Sequence, residues 1–181
     1  MKRPVILTTN HYYHIYNKSI YGYQIFNSPK EYERMLHLMQ FYQWKMPLNF
    51  SRFIRCTLPK FSNFETAIKS LPVEIQRVTI VAYCLMPTHI HFLLRQNENN
   101  GIEHFMKDVQ SAYSQFFNLR HNRKGPLWQG RFGNKIITSE NQLTDTIDYI
   151  HFNPVKDLKY SKAELWPYSS YNLYTSRKCT G

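Results

Sequence analysis

Runs of apolar residues, some alternating with polar residues and some continuous, predict four strands along the chain. Residues 11–20 are rich in Tyr and Ile and predict the first strand. The clearest strand signal covers residues 78–86, and it is followed by a turn at Pro87-Thr88 and a return strand over 89–94. A fourth strand is predicted around residues 135–138.

Three helices are predicted between and after these strands. The first begins at Ser28, a plausible N-cap, with Pro29 at the first helical position and Glu31 in a capping box. Apolar residues at helical spacing over 102–120 predict the second helix.

The third predicted helix completes the fold assignment. Ser139 and Gln142 form a capping box at its start, and we expect it to end near Asn153, because the residue before Pro154 is disfavoured in helical conformation. The order of elements is then strand, helix, strand, strand, helix, strand, helix. This order is typical of an α+β ferredoxin-like fold, in which an antiparallel sheet carries the helices on one face.

Residues 47–76 interrupt this order and are predicted to be an insertion. They mix a possible strand at Phe50–Cys56 with polar segments that prolines interrupt. We predict a single domain over residues 1–181, in which an aromatic tail at 157–181 packs as a loop.

Charge and aromatic content point to a class of partner. The chain has 23 Lys and Arg against 12 Asp and Glu, a net charge of +11, and aromatic residues make up 16% of it. Basic groups displace counterions from phosphates and aromatic rings stack on bases, so nucleic acid is the favoured partner. Composition alone leaves a merely basic protein as the alternative.

Other classes of protein are disfavoured. Cys56, Cys84 and Cys179 are an odd number without a CxxC motif, which indicates neither a disulfide framework nor a zinc ribbon. The apolar run at residues 5–7 is too short for a signal peptide, and no window reaches the ~18 apolar residues of a membrane span. We therefore expect a cytoplasmic protein that does not bind membranes.

Two histidines are candidate metal ligands. His89 and His91 are two residues apart on a predicted strand, so both side chains lie on the same face of the sheet. Two neutral imidazoles can bind one divalent cation. For such a pair taken alone, two polar positions on a solvated face is the favoured interpretation.

A tyrosine on the third predicted helix is a candidate nucleophile. Tyr149 and Asn153 are four residues apart and share a helix face. A phenol with a pKa of ~10 becomes a competent nucleophile when a nearby cation favours the phenolate. A half-buried tyrosine with a hydrogen-bonded hydroxyl is the structural alternative. The combination with the two histidines on an adjacent element favours a site.

Several blocks of sequence resemble a known family. The segment YCLMPTHIHFLL at residues 83–94 is similar to the His-hydrophobic-His motif of single-tyrosine HUH transposases. The segment DYIHFNPVK at 148–156 is similar to the tyrosine helix of their REP-associated branch. WQGRF at 128–132 and WPYSSY at 166–171 are similar to further blocks of that branch, in the same order. The resemblance extends from about residue 11 to residue 171, apart from 47–76.

The resemblance implies a ferredoxin-like fold and metal-dependent cleavage and rejoining of single-stranded hairpin DNA. Tyr149 matches the nucleophile that forms a 5′-phosphotyrosine, and His89 and His91 match the metal-binding pair. Asn153 occupies the position of the polar residue that completes the metal site, and Mg²⁺ or Mn²⁺ is the expected ion. One phosphodiester replaces another, so no nucleotide cofactor is expected, and the chain has no glycine-rich phosphate loop.

The sequence departs from the family at two positions near this site. Thr88 stands where Asn is more frequent, and Lys156 stands where Arg is usual. Neither residue is an expected ligand, so the departures concern substrate details. Members of the REP-associated branch tend to act alone, which favours a monomer over a dimer.

Basic residues before and along the last predicted helix are candidates for a DNA groove, with one tryptophan among them expected to stack on a base. A solvated basic loop around a core tryptophan is equally favoured for each residue singly. The candidates are Arg120, Arg123, Lys124, Trp128, Arg131, Lys135 and Lys156.

Two functional classes remain open at this stage. The first is the transposase, and the second is a domesticated relative that binds hairpin DNA or RNA without cutting it. The presence together of Tyr149, His89, His91 and Asn153 favours the enzyme. A zinc hydrolase is disfavoured, because the spacing indicates no third His, Cys or Glu ligand.

Overall fold

In the part of the chain that the structure describes, one antiparallel sheet of four strands forms the centre, with strand order β2-β3-β1-β4. The computed structural model describes residues 6–178, so residues 1–5, which include the start of the N-terminal apolar run, and residues 179–181, which include Cys179, lie outside the description. The strands are β1 (Tyr12–Lys18), β2 (Val78–Met86), β3 (His89–Gln96) and β4 (Gly133–Ile137). Each predicted strand outside residues 47–76 is confirmed.

Within residues 6–178, six α-helices connect and cover these strands. Two of them, α1 and α4, pack against each other on one face of the sheet, where Phe105 of α4 lies 5.9 Å from Phe92 between ring centroids. The helices are α1 (Pro29–Tyr42), α2 (Phe50–Cys56), α3 (Phe64–Lys69), α4 (Gly101–Arg120), α5 (Glu140–Leu158) and α6 (Tyr171–Lys178). None of the helices in residues 6–178 has the length and apolar character of a membrane-spanning segment.

The strand order and the order of elements confirm the predicted ferredoxin-like class. One refinement concerns the faces of the sheet. Alternation along β1 and β3 sends Ile15 and Phe92 toward α1 and α4, and sends His14 and His91 to the opposite face. Helix α5 packs on β2 and β3 at that second face, with the ring of Tyr149 against both imidazoles, so the helices do not all lie on one face. The short helix α6 follows α5.

The possible strand at Phe50–Cys56 is wrong, because this segment is α2. The side chain of Asn49 caps the helix by accepting a hydrogen bond from the Arg52 N–H at 2.9 Å. Phe50 and Phe53, three residues apart, pack their rings 5.4 and 4.8 Å from that of Phe41 on α1. A three-residue spacing brings both rings to α1 only in a helix. That residues 47–76 are an insertion stays a prediction.

The expected end of α5 near Asn153 is also wrong, because the helix continues through Pro154 to Leu158. A proline inside a helix removes one backbone hydrogen bond and costs about 3 kcal/mol. Ile150, Asn153 and Pro154 are buried, and packing of this helix face on the sheet outweighs the local preference. Lys159, with φ of 57°, ends the helix, and its N–H donates to the Pro154 carbonyl.

The aromatic tail packs along the outer edge of β2, as a loop over residues 166–170. The Leu85 N–H donates to the Tyr168 carbonyl at 2.9 Å, and the Ser170 N–H donates to the Tyr83 carbonyl at 3.0 Å. The Trp166 indole N–H donates to the Leu85 carbonyl at 3.1 Å. This loop therefore satisfies backbone groups that an edge strand would otherwise expose. Helix α6, which follows it, was not predicted.

Glu31 joins the start of α1 to the end of α4. Its carboxylate is 1% exposed, accepts the Ser28 N–H at 3.1 Å as the predicted capping box requires, and lies 2.6 Å from His121 Nε2. Burial raises the pKa of this carboxyl, but hydrogen bonds from the Asn27 and Ser28 N–H groups and His121 outweigh burial and hold the pKa below its ordinary value of 4.5.

We expect Glu31→Gln to lower the free energy of unfolding at pH 7 by about 1–3 kcal/mol, because charge-assisted hydrogen bonds are weakened. A lowered folded pKa means that the stabilisation is complete above about pH 4.5 and is lost as the pH falls through the folded value. Urea unfolding at a series of pH values should show this loss in the parent and not in Glu31→Gln. The control is Glu33→Gln, at an exposed position on the same helix. Equal pH profiles for the parent and Glu31→Gln would contradict the assignment.

Candidate active site

His89 and His91 lie on the same face of β3, as their spacing predicts. Their ring centroids are 5.1 Å apart, and the ring planes are nearly perpendicular, at 87°. In the strand register His91 is opposite Tyr16 of β1, and His89 is opposite Lys18. The pair therefore lies at the centre of the sheet, between β2 and β1.

One ring nitrogen of each histidine is held by a neighbour. His89 Nδ1 lies 3.0 Å from Thr88 Oγ1, and His91 Nδ1 lies 3.0 Å from Nε2 of His14. The rings of His14 and His91 are stacked, with centroids 5.2 Å apart. Within the described part of the chain, neither Nε2 of the pair has a hydrogen-bond partner, so both remain for a ligand.

The three imidazoles are neutral at pH 7. Burial, helped by the neighbouring His14, His89 and Lys18, lowers the pKa of His91 to about 3. Burial, together with Lys135, lowers the pKa of His14 to about 4. The pKa of His89 is also lowered, by burial and Lys18, although Asp157 acts in the other direction. Each ring therefore has a lone pair available to an electrophile or a hydrogen-bond donor.

Helix α5 brings Tyr149 to these histidines. Tyr149 is 48% exposed, and its ring centroid lies 5.7 Å from that of His91 and 5.6 Å from that of His14. Asn153, one turn later, is buried and donates from Nδ2 to the Tyr149 carbonyl at 2.9 Å. This bond uses the amide nitrogen and leaves Oδ1 directed away from that carbonyl. The geometry brings together the four residues that the sequence suggested, and their roles stay predictions.

The donor set fits a hard divalent cation only if an amide oxygen contributes. Among residues 6–178 no three His, Cys, Asp or Glu side chains are grouped closely enough to hold a metal. Asp157 Oδ2 lies 3.9 Å from His89 Nε2, beyond hydrogen-bonding distance. If the Oδ1 of Asn153 joined the two free imidazole nitrogens, the donors would be a mixed nitrogen and oxygen set, which would suit Mg²⁺ or Mn²⁺ better than a structural zinc.

Sequence reasoning missed the contribution of β1. His14, Tyr16 and Lys18 alternate along the strand and lie on the histidine face. The Tyr16 ring crosses over Gly133, where a Cβ atom would collide with it. Two features of the sequence could have identified these residues. They are spaced two apart, which puts them on one face, and the first strand of a ferredoxin-like sheet is a central strand.

The predicted DNA-binding residues lie at different places. The Arg120 Nε pairs with Glu31 at 3.3 Å, and the Arg123 guanidinium donates to the Pro126 carbonyl at 2.7 Å, so both stabilise local structure. Lys135 is exposed on β4 opposite His14. Three further candidates, dispersed over the loop and α5, are exposed: Lys124, Arg131 and Lys156.

The expectation that Trp128 stacks on a base is not met. The side chain is 8% exposed, its indole N–H donates to the Gln110 carbonyl at 3.2 Å, and its ring lies 6.2 Å from that of Tyr113. The structural alternative, a core tryptophan, is what the molecule contains. His151 is likewise buried, with Nε2 2.8 Å from Ser170 Oγ, and its role is to hold the tail against α5.

Comparison with known proteins finds a matching family and similar relatives. The model of the family described as "Transposase IS200 like" matches residues 62–153, about half of the chain, including both histidines and Tyr149. A predicted REP-associated tyrosine transposase of Haemophilus influenzae is 32% identical over 102 residues, which cover 51% of this chain and 58% of the relative. The REP-associated tyrosine transposase of Escherichia coli K12 is 23% identical over 99 residues, 54% of this chain and 57% of the relative. The chain thus spans little more than half the length of these relatives.

A solved structure supports the fold over nearly the whole chain. It is that of a REP-associated tyrosine transposase bound to a REP hairpin, with a TM-score of 0.63 and 15% sequence identity. The superposition covers 98% of this chain and 86% of the other. At this identity the similarity shows a shared fold.

Proposed function

The chain belongs to the IS200-like transposase family, and we propose that it cleaves and rejoins single-stranded hairpin DNA through a covalent bond to Tyr149. The observation that carries this proposal is the position of an exposed phenol within 6 Å of two neutral imidazoles on one sheet face. The hairpin is part of the proposal because the similar solved structure holds a REP hairpin.

The proposed reaction exchanges one phosphodiester for another. The Tyr149 oxygen attacks the scissile phosphorus, a bond from that oxygen to phosphorus forms, and the bond from phosphorus to the 3′ oxygen breaks. The phenol loses its proton and the departing 3′ oxygen gains one, so the products are a 5′-phosphotyrosine and a free 3′-hydroxyl. Attack of a 3′-hydroxyl on the phosphotyrosine reverses these bond changes and rejoins the DNA.

We propose that His89, His91 and Asn153 hold a Mg²⁺ or Mn²⁺ ion, the first two through Nε2 and the third through Oδ1. When bound, such an ion polarises the phosphate and favours the phenolate. The chain's own contribution is positional. Thr88 and His14 fix the two imidazole rings through Nδ1, and Asn153 joins the backbone of Tyr149 to the same site.

His14 is expected to tune metal affinity through His91. His91 offers Nε2 to a metal only when its proton is on Nδ1, and in that tautomer His14 Nε2, 3.0 Å away, is the acceptor for that proton. We expect His14→Ala to weaken Mn²⁺ binding by about 10–100-fold, measured by electron paramagnetic resonance without DNA. His14→Gln, which keeps an acceptor, should recover part of the loss.

The control for this measurement is His11→Ala, since the imidazole of His11 is exposed and contacts the nearby Thr9 carbonyl at 3.0 Å. Its Mn²⁺ affinity should equal that of the parent. Unchanged affinity in His14→Ala would show that the contact between the two imidazoles has no role in metal binding.

Affinity for single-stranded DNA should fall steeply with salt, because a chain of net charge +11 displaces counterions from phosphates. The slope of log K against log salt is expected near −0.7 for each phosphate contacted. Fluorescence anisotropy with labelled strands measures it. Single strands and hairpins should bind more tightly than blunt duplex, and a flat salt response would contradict a phosphate-binding surface.

The function itself is tested by incubating the chain with a 3′-labelled hairpin oligonucleotide carrying single-stranded flanks, in Mn²⁺, because the fragment on the 3′ side of the cut is the one that stays bound to the tyrosine. We expect a labelled protein band that survives denaturing electrophoresis. Tight hairpin binding without that band would favour the alternative, a relative that binds hairpin DNA or RNA without cutting it.

A further inference from the structure

Tyr21 is the most exposed aromatic side chain among the described residues, at 97% of its free surface. It lies in the short 3₁₀ turn Ile20–Gly22 that follows β1, and its ring contacts no other ring of the described chain. Both faces of this ring are therefore open to a ligand.

The backbone at Tyr21 is strained. Its φ of 53° and ψ of 25° place it in the left-handed region, where Gly or Asn is the usual residue. A bulky side chain there costs about 1 kcal/mol relative to glycine. Since the ring is fully exposed, no packing within the described structure offsets this cost. A strained position that the fold does not need is a candidate functional position.

The turn is fastened to the site described above. The Ser19 N–H donates to the Thr88 carbonyl at 2.8 Å, immediately before His89, and Lys18 lies opposite His89 in the sheet. On its other side, the Ile20 N–H donates to the Leu127 carbonyl at 2.9 Å. The ring of Tyr21 therefore stands on a rigid turn between the two histidines and the basic loop at 121–126.

Positively charged side chains lie close to this turn. Lys18, at the end of β1, is exposed, and the Arg123 guanidinium lies 5.6 Å from the ring centroid of Tyr23, the residue that follows the turn. Lys124, the next residue of the basic loop, is also exposed. Aromatic rings between cationic groups form the usual surface for single-stranded nucleic acid, in which bases stack and phosphates meet the cations. A protein-binding or membrane-binding surface would need a wider apolar patch than one ring.

We propose that Tyr21 stacks on an unpaired nucleobase of the DNA substrate, next to the strand that enters the histidine face. This rests on the proposed function and adds a base-binding residue to it. It replaces the stacking role that the sequence assigned to Trp128. Stacking of one base on an aromatic ring contributes about 1–3 kcal/mol and tolerates any base, so Tyr21 supplies affinity without sequence recognition.

Because the backbone at Tyr21 is strained, substitutions that remove the ring should not destabilise the fold, so an effect on DNA binding can be separated from an effect on stability. We expect Tyr21→Gly and Tyr21→Asn to keep or raise Tm, since both residues accept a positive φ. Both should weaken single-stranded DNA binding by roughly 5–150-fold, the range that corresponds to 1–3 kcal/mol. Tyr21→Phe and Tyr21→Trp should bind like the parent.

Binding is measured in EDTA by anisotropy, with a second strand in which 2-aminopurine reports stacking by loss of fluorescence. Quenching at one position by the parent and Tyr21→Trp, and its loss in Tyr21→Asn, supports the proposal. The control is Val73→Ala, which removes an exposed apolar side chain far along the sequence from this turn. The proposal is overturned if the DNA affinity of Tyr21→Gly is within twofold of that of the parent. It is also overturned if both the Gly and the Asn variant lose binding together with a fall in Tm, because the ring would then serve the fold.

This experiment separates the two proposals. Because it is run without metal, it gives the same answer whether or not the chain cleaves DNA. If the parent protein quenches 2-aminopurine but forms no covalent band, the proposal for Tyr21 stands and the proposal for Tyr149 is wrong.

Discussion

Tyr149→Phe is expected to abolish the covalent adduct between the chain and DNA, a loss of roughly a thousandfold or more. The phenylalanine ring can keep the edge contacts of Tyr149 with His14 and His91, at centroid distances of 5.6 and 5.7 Å, and lacks only the oxygen that attacks phosphorus. Stability and DNA affinity should therefore stay close to those of the parent. Denaturing electrophoresis with 3′-end-labelled DNA measures the adduct, anisotropy measures the DNA affinity, and thermal unfolding measures the stability.

The control for this prediction is Tyr12→Phe, at a partly buried position on the same sheet face. It should form the adduct at the parental rate. An adduct in Tyr149→Phe would show that another side chain is the nucleophile, and peptide mapping of the labelled band would identify it. Loss of DNA affinity in Tyr149→Phe would instead indicate that the hydroxyl binds substrate rather than attacking it.

Short-range patterns allowed half of the site to be predicted. The two-residue spacing of His89 and His91 fixes a common face of a strand, and the four-residue spacing of Tyr149 and Asn153 fixes a common face of a helix. Both pairs are set by backbone geometry, which sequence spacing encodes directly. The structure brings the two pairs together as their positions in a ferredoxin-like order would require.

The remaining features depend on contacts between distant segments. His14 meets His91 across 77 residues of chain, and only the pairing of β1 with β3 makes them neighbours. Pro154 would end an isolated helix, yet the burial of its neighbours against the sheet keeps α5 continuous. Trp128 carries a sequence signal for stacking, but its burial against Tyr113 is visible only in three dimensions. Local propensity did not decide any of these three cases.

Asn153→Ala is expected to raise the Mn²⁺ concentration that cleavage requires by about 10–100-fold, while lowering the free energy of unfolding by only about 1 kcal/mol. The small stability effect is the loss of one hydrogen bond, from Nδ2 to the Tyr149 carbonyl at 2.9 Å. The large metal effect follows because two imidazoles alone would leave a hard cation mostly hydrated and poorly fixed. Metal titration of the adduct rate and urea unfolding separate the two quantities.

Asp157→Asn is the matched variant, because Asp157 lies one turn further along α5 and presents Oδ2 3.9 Å from His89 Nε2. If Asn153 supplies the oxygen ligand, Asp157→Asn should leave the Mn²⁺ requirement nearly unchanged, and Asn153→Asp should lower it, because a carboxylate binds the cation more strongly than an amide. If Asp157→Asn raises the requirement and Asn153→Ala costs only stability, the amide serves the helix before Pro154 and the carboxylate holds the ion. The two candidate ligands, Asn153 and Asp157, lie one turn apart on the helix that carries the nucleophile. The pair of titrations therefore decides which of these turns of α5 couples metal binding to Tyr149.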